Sequence, residues 1–245
     1  MPIKYLCVML LLMLNTSSSI AKQLVVTEIL PPYQFYQENT ALSGFSVEVM
    51  QEIFKITGDE INLQVFPWAR AYKTALNQPN TLIFSLSRTK ARENLFIWGG
   101  KLMKEDIYAW GLKEDFKTSI TDIEQLKKYK IAVTNSSSTA QYFQQQEYPF
   151  IYMVVSPEQS LQMLYLNRVD FITGTKSTLV ARASKLNLEV SRLKKIMPLS
   201  VVNHDLYFAF SLNSDKKIVT KYTNAYKIIE KNGTLDKLRN KWQVQ

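Results

Sequence analysis

The sequence has very little cysteine or histidine. Its single cysteine is Cys7 and its single histidine is His204. A zinc centre takes about four ligands, mostly cysteine and histidine, and cysteine catalysis needs a thiol beside a histidine. Because Cys7 lies in a segment that we expect to be removed, the mature chain has no thiol, disulfide or cysteine metal site. With no metal motif and no Gly-rich phosphate motif, we predict no cofactor, and we interpret His204 as a surface or packing residue.

Long hydrophobic runs are absent beyond the amino terminus. Residues 1–21 have the pattern of a secretory signal peptide: Lys4 is basic, residues 5–14 are apolar, and Ser19-Ile20-Ala21 is a small-x-Ala cleavage site. An apolar run of roughly ten residues is too short to span a bilayer, which takes about 20. We therefore predict an exported, soluble, monomeric protein whose mature chain begins near Lys22.

Acidic residues are outnumbered, and the formal net charge is +9. The excess is concentrated in residues 215–241, where eight basic residues accompany only three acidic ones. Basic surfaces often bind nucleic acid, but an exported protein rarely meets it, so we predict no nucleic-acid partner. Lysines spaced along amphipathic helices usually form a solvated face. Attraction to the anionic cell envelope is the alternative function for this face.

The order of elements predicts an α/β protein. The first half has strands near residues 23–28, 61–65 and 81–84, with helices at 45–54, closed by Gly58, and at 69–76. Alternating strands and helices are typical of a parallel sheet covered by helices. The second half repeats this order, and its predicted strands are 107–112, 130–134, 153–155, 169–173 and 206–212.

Helix starts in the second half carry capping residues. Residues 121–124 form a capping box that opens a short helix to Lys128, and Ser156 precedes Pro157 at the start of another helix. A glutamine-rich helix follows the strand 130–134. The C-terminal region is predicted to be helical with an interruption at Asn232-Gly233.

The segment 66–98 carries basic residues at positions where the fold itself does not require a charge. Thr89 is a predicted N-cap, which places Lys90 and Arg92 in the first turn of a helix and Arg88 just before it. Cations at this end of a helix are unfavourable, whereas an anion is stabilised there. With the hydroxyls of Ser85, Ser87 and Thr89, the Arg92 guanidinium predicts a carboxylate site. The alternative is a solvated basic turn.

Two further stretches are candidate parts of a cleft. The run 135–139 contains Ser137 and Ser138 and joins a strand to a helix start, which favours a second polar site over a plain linker. Leu30 and Tyr33 lie in a proline-containing loop after the first strand, where they are expected to line a cleft or to pack as ordinary loop residues.

Several motifs occur in a characteristic order along the chain. They are LVVTEILPPYQF, SGFSVEVMQEIF, PWARA, SLSRTKAR with FIWGGKL, IAVTNSSSTAQYF, NRVDFIT and NGTLDKLRNKW. Their order and spacing resemble those of the bacterial extracellular solute-binding proteins of family 3, the periplasmic receptors of polar amino-acid uptake. The resemblance implies a periplasmic protein with a two-lobed periplasmic-binding-protein fold (type II), whose lobes close on a small solute. It implies one lobe from residues 22–105 plus 200–245, another from residues 106–199, two hinge strands, and an ABC transporter permease or a sensor domain as partner.

The resemblance also implies site residues. Arg92 aligns with the carboxylate-binding arginine of the family, Ser87 with its hydroxyl residue, and Ser137 and Ser138 with its second-lobe loop. Leu30 stands where the family often has a stacking aromatic residue, so Tyr33 or Trp68 is expected to take that role. Arg70 of the PWARA segment is a further ligand-binding candidate.

Position 175 departs from the family pattern. The family commonly has an aspartate there that binds the ammonium group of an amino acid, whereas this chain has Thr175 followed by Lys176. Either another acid, Glu28 or Asp205, takes this role, or the solute is not an ordinary α-amino acid.

Two other functions are compatible with the same scaffold. A periplasmic dehydratase-like enzyme would need a positioned acid and base. The candidates Glu28, Asp205 and His204 form no recognisable constellation in the sequence. A ligand-sensing accessory protein without a transporter would suit the basic C-terminal helices.

Overall fold

The structure is a computed structural model that describes residues 22–37, 41–116, 120–202 and 205–244. The predicted signal peptide and His204 lie outside the described residues. In this part of the chain no helix is both long and apolar enough to cross a membrane. The same residues contain no group of three metal-ligating acidic, cysteine or histidine side chains.

Strands and helices alternate along most of the chain. The strands are β1 (Gln23–Thr27), β2 (Phe35–Gln37), β3 (Ala41–Ser43), β4 (Ile61–Val65), β5 (Leu82–Ser87), β6 (Phe96–Lys104), β7 (Tyr108–Leu112), β8 (Ile131–Thr134), β9 (Ile151–Val154), β10 (Phe171–Gly174), β11 (Leu193–Pro198) and β12 (Asp205–Ser211). The helices are α1 (Phe45–Thr57), α2 (Trp68–Asn77), α3 (Ser138–Gln145), α4 (Pro157–Tyr165), α5 (Lys176–Lys185), α6 (Lys216–Lys231) and α7 (Thr234–Trp242).

Two five-stranded sheets organise these elements. The first has the order β4-β1-β5-β12-β6, with β1 parallel to β4 and β5, and β12 antiparallel to β5 and β6. The second has the order β11-β7-β10-β8-β9, with β8 parallel to β9 and β10 and β7 antiparallel to β10 and β11. The chain passes between the sheets twice, after β6 and after β11, so the first sheet is completed by β12, which returns from the second.

Each sheet buries apolar side chains on both faces. On one face of the first sheet, Phe84, Phe208 and Phe210 pack with α1 and α6, and on the other face Val26 and Ile83 pack with Trp68 of α2. The second sheet likewise has one core cluster around Phe143 and Phe171 and another around Leu161 and Ile172. Full burial of one such side chain contributes roughly 1.5–3 kcal/mol, so these clusters hold the strand ends in fixed positions.

Local signals in the sequence explain the best-predicted elements. Helix α1 ends where Gly58 adopts a left-handed conformation (φ 67°) and donates its N–H to the carbonyl of Phe54, which confirms the predicted C-cap. Helix α4 begins with Pro157, and the Ser156 hydroxyl accepts from the N–H of Gln159, as predicted. The break between α6 and α7 lies at the predicted Asn232-Gly233. Strand β4 has the predicted bounds.

Other sequence predictions need correction. The N-cap of the short helix that ends at Lys128 is Asp122 and not Thr121, because the Asp122 carboxylate accepts from the N–H of Glu124. This helix, Ile123–Lys128, is of the 3-10 type. Strands β2, β3, β6 and β11 and helix α5 were not predicted from the sequence. The basic side chains of α6 and α7 are mainly solvent-facing, and two of them pair with acids of the first half: Lys221 with Asp59 at 2.5 Å and Lys241 with Glu48 at 2.7 Å.

Candidate functional site

A cavity of about 110 Å³ lies between the two sheets. It is bounded by the carboxyl ends of β1 and β5 on one side and of β8 and β10 on the other. This edge is where open α/β sheets usually bind ligands, since loops and helix starts converge there. Four charged side chains contribute to its wall: Glu28, Arg92, Glu105 and Arg182.

Most of the residues predicted for the site lie around this cavity. They are Glu28, Leu30, Trp68, Ser85, Ser87, Arg92, Ser137 and Ser138. Hydroxyl groups of the second sheet and its helices complete the wall, namely Thr134, Thr139, Ser160, Thr173 and Thr178. The two serine-containing segments that are far apart in the sequence therefore face the same space.

Three predicted residues lie elsewhere. Arg70 is exposed, with its guanidinium carbon 4.0 Å from the centre of the Phe66 ring. Thr175 is the N-cap of α5, and its hydroxyl accepts from the N–H of Thr178 at 3.2 Å, so it is used by the helix. Tyr33 lines a separate groove beside Thr175, and its hydroxyl lies 3.4 Å from that of Ser177.

Arg92 is fully buried at the edge of the cavity. Its Nε donates to Gln141 Oε1 at 3.0 Å, Nη1 to the carbonyl of Ser87 at 3.2 Å, and Nη2 to the carbonyl of Ser136 at 2.9 Å. A guanidinium has five N–H groups, so these three bonds leave one N–H on each terminal nitrogen, close to the side chain of Tyr72. Burial lowers the pKa of Arg92 to about 10, which leaves it charged at neutral pH.

The helix predicted around Arg92 is wrong. Residues Lys90–Arg92 form a single 3-10 turn, and the Thr89 hydroxyl makes no capping hydrogen bond. The few residues between β5 and β6 must return the chain to the same sheet, which leaves no room for a helix. Arg88 turns outward and pairs with Glu93 at 2.5 Å. The cationic character of the site therefore comes from the buried guanidinium of Arg92 and not from a helix end.

The hydroxyl groups near Arg92 are held by other side chains. Ser85 has a left-handed conformation (φ 59°) inside β5, and its hydroxyl lies 3.0 Å from both Gln34 Oε1 and Ser46 Oγ. Strand pairing with β12 shifts register beside it, which allows this unusual backbone. Ser137 is the N-cap of α3, and its hydroxyl accepts from the N–H of Ala140 at 3.1 Å. The prediction that the serine run leads into a helix start is confirmed.

Hydrogen bonds cross the cavity from one sheet to the other. The carbonyl of Ser136, a left-handed residue (φ 62°), accepts from Trp68 Nε1 at 2.8 Å as well as from Arg92. On the far side, Arg182 Nη2 donates to the carbonyl of Ile29 at 2.9 Å. The structure is therefore a closed form in which both sides are held together by direct contacts.

Two half-buried carboxyl groups, Glu28 and Glu105, share the cavity with the arginines. Burial raises the pKa of both Glu28 and Glu105 to about 7, although the nearby Arg182 opposes this effect. Arg182 is itself buried and pairs with Glu158 at 3.1 Å. Sequence reasoning missed Glu105, which stands in a charged stretch that reads as a solvated turn. It also missed Arg182, because the apolar stripe of α5 is too short to indicate a helix and α5 was therefore not predicted.

We expect the ligand-free protein to open as the pH rises through about 7. An open cleft returns Glu28 and Glu105 to water and toward the ordinary pKa of 4.5. The closed form therefore binds more protons between these values, and rising pH disfavours it. The other charged groups acting on the pair are Arg92, Arg182 and Glu158.

Small-angle scattering tests this expectation. The radius of gyration of the ligand-free protein should be larger at about pH 8 than at about pH 5.5. A Glu28→Gln, Glu105→Gln double variant should show the same radius at both values. A wild-type radius that does not change with pH would contradict the expectation.

Part of the chain matches a known family of proteins in sequence. Residues 23–104, which extend from the start of β1 to the end of β6, match a known sequence family. That family is the bacterial extracellular solute-binding proteins, family 3. The resemblance drawn from the sequence motifs is confirmed for this segment, which includes Glu28 and Arg92. No curated protein matches the sequence significantly.

Solved structures resemble nearly the whole chain. One is a histidine kinase sensor domain with similarity to periplasmic binding proteins (TM-score 0.80, 15% identity, covering 91% of this chain and 96% of that one). Another is an ancestral arginine-binding protein bound to arginine (TM-score 0.77, 18% identity, 91% and 99%). A third is the arginine-, lysine-, histidine-binding protein of Geobacillus stearothermophilus (TM-score 0.74, 16% identity, 90% and 95%). At such identities the likeness shows the fold: two α/β lobes, as predicted.

Proposed function

We propose that this chain is a periplasmic solute-binding protein that captures a small carboxylate-bearing or amino-acid-like solute between two closing lobes. The observation that carries the proposal is the fully buried guanidinium of Arg92, which faces a cavity between the sheets and makes no salt bridge with a described residue. A buried cation is costly unless an anion neutralises it. A solute carboxylate would accept from the free N–H groups of both terminal nitrogens.

The remaining parts of the proposal follow from this site. The lobes are residues 22–105 plus 200–245 and residues 106–199, and closure brings Ser137 and Ser138 to the solute bound at Arg92 and Ser87. The protein is a monomer, exported through its cleaved signal peptide. Similar structures are named for binding arginine and glutamate, which supports an amino-acid-like solute. The partner is an ABC transporter permease or, as the resemblance to a kinase sensor domain suggests, a sensor.

An enzyme on the same scaffold is the second candidate. The observation that favours it is the pair of carboxyl groups, Glu28 and Glu105, whose pKa near 7 suits general acid–base catalysis. The matched family and the similar structures are binding proteins, which supports capture over catalysis.

Native mass spectrometry of protein purified rapidly from exported material tests the proposal. We expect a retained small solute that is released unchanged on denaturation, and a smaller radius of gyration in small-angle scattering when that solute is added back to stripped protein. An exported chain that begins near Lys22 is expected in the same spectrum. A solute recovered chemically altered would favour the enzyme. A scattering profile that is unchanged at saturating solute would contradict capture by closure.

A further inference from the structure

We propose that the outer side of helix α6 binds the anionic surface of a lipid membrane. Helix α6 covers the first sheet together with α1, and it contributes none of the described residues that line the cavity. The proposal therefore does not depend on which solute the cavity takes. It assigns a role to the basic C-terminal segment, which solute capture does not use.

The lysines of α6 share one side of the helix. All of them are exposed, and they are Lys216, Lys217, Lys221, Lys227 and Lys231. We call these five residues the lysine face. With about 100° between successive residues, they fall within an arc of about 140°. The buried side chains of the helix, among them Tyr222 and Ile229, lie on the opposite side and pack into the core. The lysine face therefore points away from the protein along about 24 Å of helix.

Acidic side chains neutralise little of the lysine face. Lys221 pairs with Asp59 at 2.5 Å, and the other four lysines make no ion pair with a described residue. Glu230 is the one acid in the sequence of α6, and its position on the helix falls outside the arc. Asp215 precedes the helix as its N-cap, where its carboxylate accepts from a backbone N–H of the first turn at 2.7 Å. Four positive charges thus face solvent together.

The chemistry of this face suits a lipid surface better than a protein partner. Protein interfaces are enriched in arginine and aromatic residues and depleted of lysine. A lysine ammonium is a mobile, strongly hydrated point charge, which suits a fluid layer of phosphate headgroups that imposes no fixed geometry. Within the arc, Ile228 is 49% exposed and offers an apolar side chain to the headgroup region.

The arrangement of the lysines in a row also favours a membrane. Salt screens interactions over more than about 8 Å at physiological ionic strength, so only charges that reach a surface together contribute to binding. Lysines on one side of one helix meet this condition, whereas lysines scattered over the rest of the protein do not. Each lysine that reaches an anionic membrane strengthens binding by roughly five-fold.

Vesicle flotation of the exported protein tests the proposal. The probes are vesicles of pure phosphatidylcholine and vesicles that also contain about 30% phosphatidylglycerol, each at about 0.05 and 0.5 M salt. We expect the partition coefficient for the anionic vesicles to be at least ~10-fold higher than for the neutral ones at low salt. It should fall at least ~10-fold between the two salt concentrations, because salt screens the lysines.

A triple variant, Lys217→Gln with Lys227→Gln and Lys231→Gln, locates the binding on α6. It should bind the anionic vesicles at least ~10-fold more weakly than wild type. Glutamine has nearly the helix propensity of lysine, and these side chains are exposed, so the melting temperature should stay within about 2 °C of wild type.

The matched control removes the same charge from the other lobe. It replaces by glutamine three exposed lysines that make no ion pair with a described residue: Lys113, Lys128 and Lys185. Because these residues do not share a helix side with the lysine face, this variant should bind the anionic vesicles within ~2-fold of wild type.

The other outcomes would overturn the proposal. No flotation with anionic vesicles at low salt would mean that the lysine face is solvated or meets an acidic protein surface instead. Equal binding to neutral vesicles would remove the role of charge. Equal losses in the two triple variants would show that net charge attracts the protein without a specific face. None of these results bears on solute capture, which native mass spectrometry tests separately.

Discussion

Replacing Arg92 by alanine is expected to lower solute affinity by about 2–5 kcal/mol, or roughly 30- to 5,000-fold. The side chain is fully buried, and its hydrogen-bond partners are neutral: two carbonyl oxygens and the side chain of Gln141. Without the guanidinium, the solute carboxylate would lose its two N–H donors and enter a cavity that still contains the carboxyl groups of Glu28 and Glu105. Calorimetry with the solute identified by native mass spectrometry measures the loss.

Two other variants separate the charge from its surroundings. Arg92→Lys should recover only part of the loss, because an ammonium group cannot reproduce the planar fork of N–H groups. Arg88→Ala removes a cation four positions earlier that is already paired with Glu93 at the surface, so its effect should stay below about 1 kcal/mol.

Trp68→Phe tests how much a hydrogen bond across the cleft, of the kind that Arg92 also makes, contributes to affinity. Arg92 and Trp68 both donate to the carbonyl of Ser136 across the cleft. The phenylalanine variant removes one of these bonds without removing charge, and a loss of about 1 kcal/mol is expected. Full affinity in Arg92→Ala would contradict the carboxylate site and would leave only the fold supported.

The fold was predictable where local signals and burial agree. Strand β4 and helix α1 were placed from side-chain periodicity and from Gly58, since both elements show one apolar face and a clear end. Strand β6 was missed because Gly99 and Gly100 interrupt its pattern. Their backbone lies against the rings of Phe208 and Tyr226, where an added Cβ would come within 2.5 Å of a ring atom. Contacts of this kind depend on residues more than 100 positions away and leave no local signal.

The same distinction applies to the site. Arg92 and the two serine-containing segments were found because charge and hydroxyl groups follow apolar strands. Glu105 and Arg182 were missed because they come to one cavity only when the two sheets face each other. Thr175 was assigned to the site by its position in the motif, whereas its hydroxyl is used to cap α5. Sequence position therefore located the cleft but did not decide which side chains enter it.

Replacing Gly44 by alanine is expected to lower the free energy of unfolding by about 3–5 kcal/mol. Gly44 precedes α1 with φ 121° and ψ 171°, a conformation that is essentially restricted to glycine. A Cβ at this position would lie 2.3 Å from the carbonyl oxygen of Tyr33 and 2.8 Å from that of Pro32. Both contacts are with backbone, so a side-chain rotation cannot relieve them and the loop after β1 must move.

That movement should also reach the site. The carbonyl of Tyr33 accepts from the N–H of Ser46 at 3.0 Å, and the same loop carries Leu30 into the cavity wall. Thermal unfolding should show a melting temperature lower by roughly 10 °C, since 1 kcal/mol shifts the melting temperature of a chain of this size by about 2–4 °C.

Gly58→Ala is the control: Gly58 also has a positive φ of 67°, but an added Cβ meets nothing within 4 Å. It should cost only about 1 kcal/mol. A melting temperature of Gly44→Ala within about 2 °C of wild type would show that the loop after β1 gives way easily. Leu30 would then not be held in a fixed position in the cavity wall.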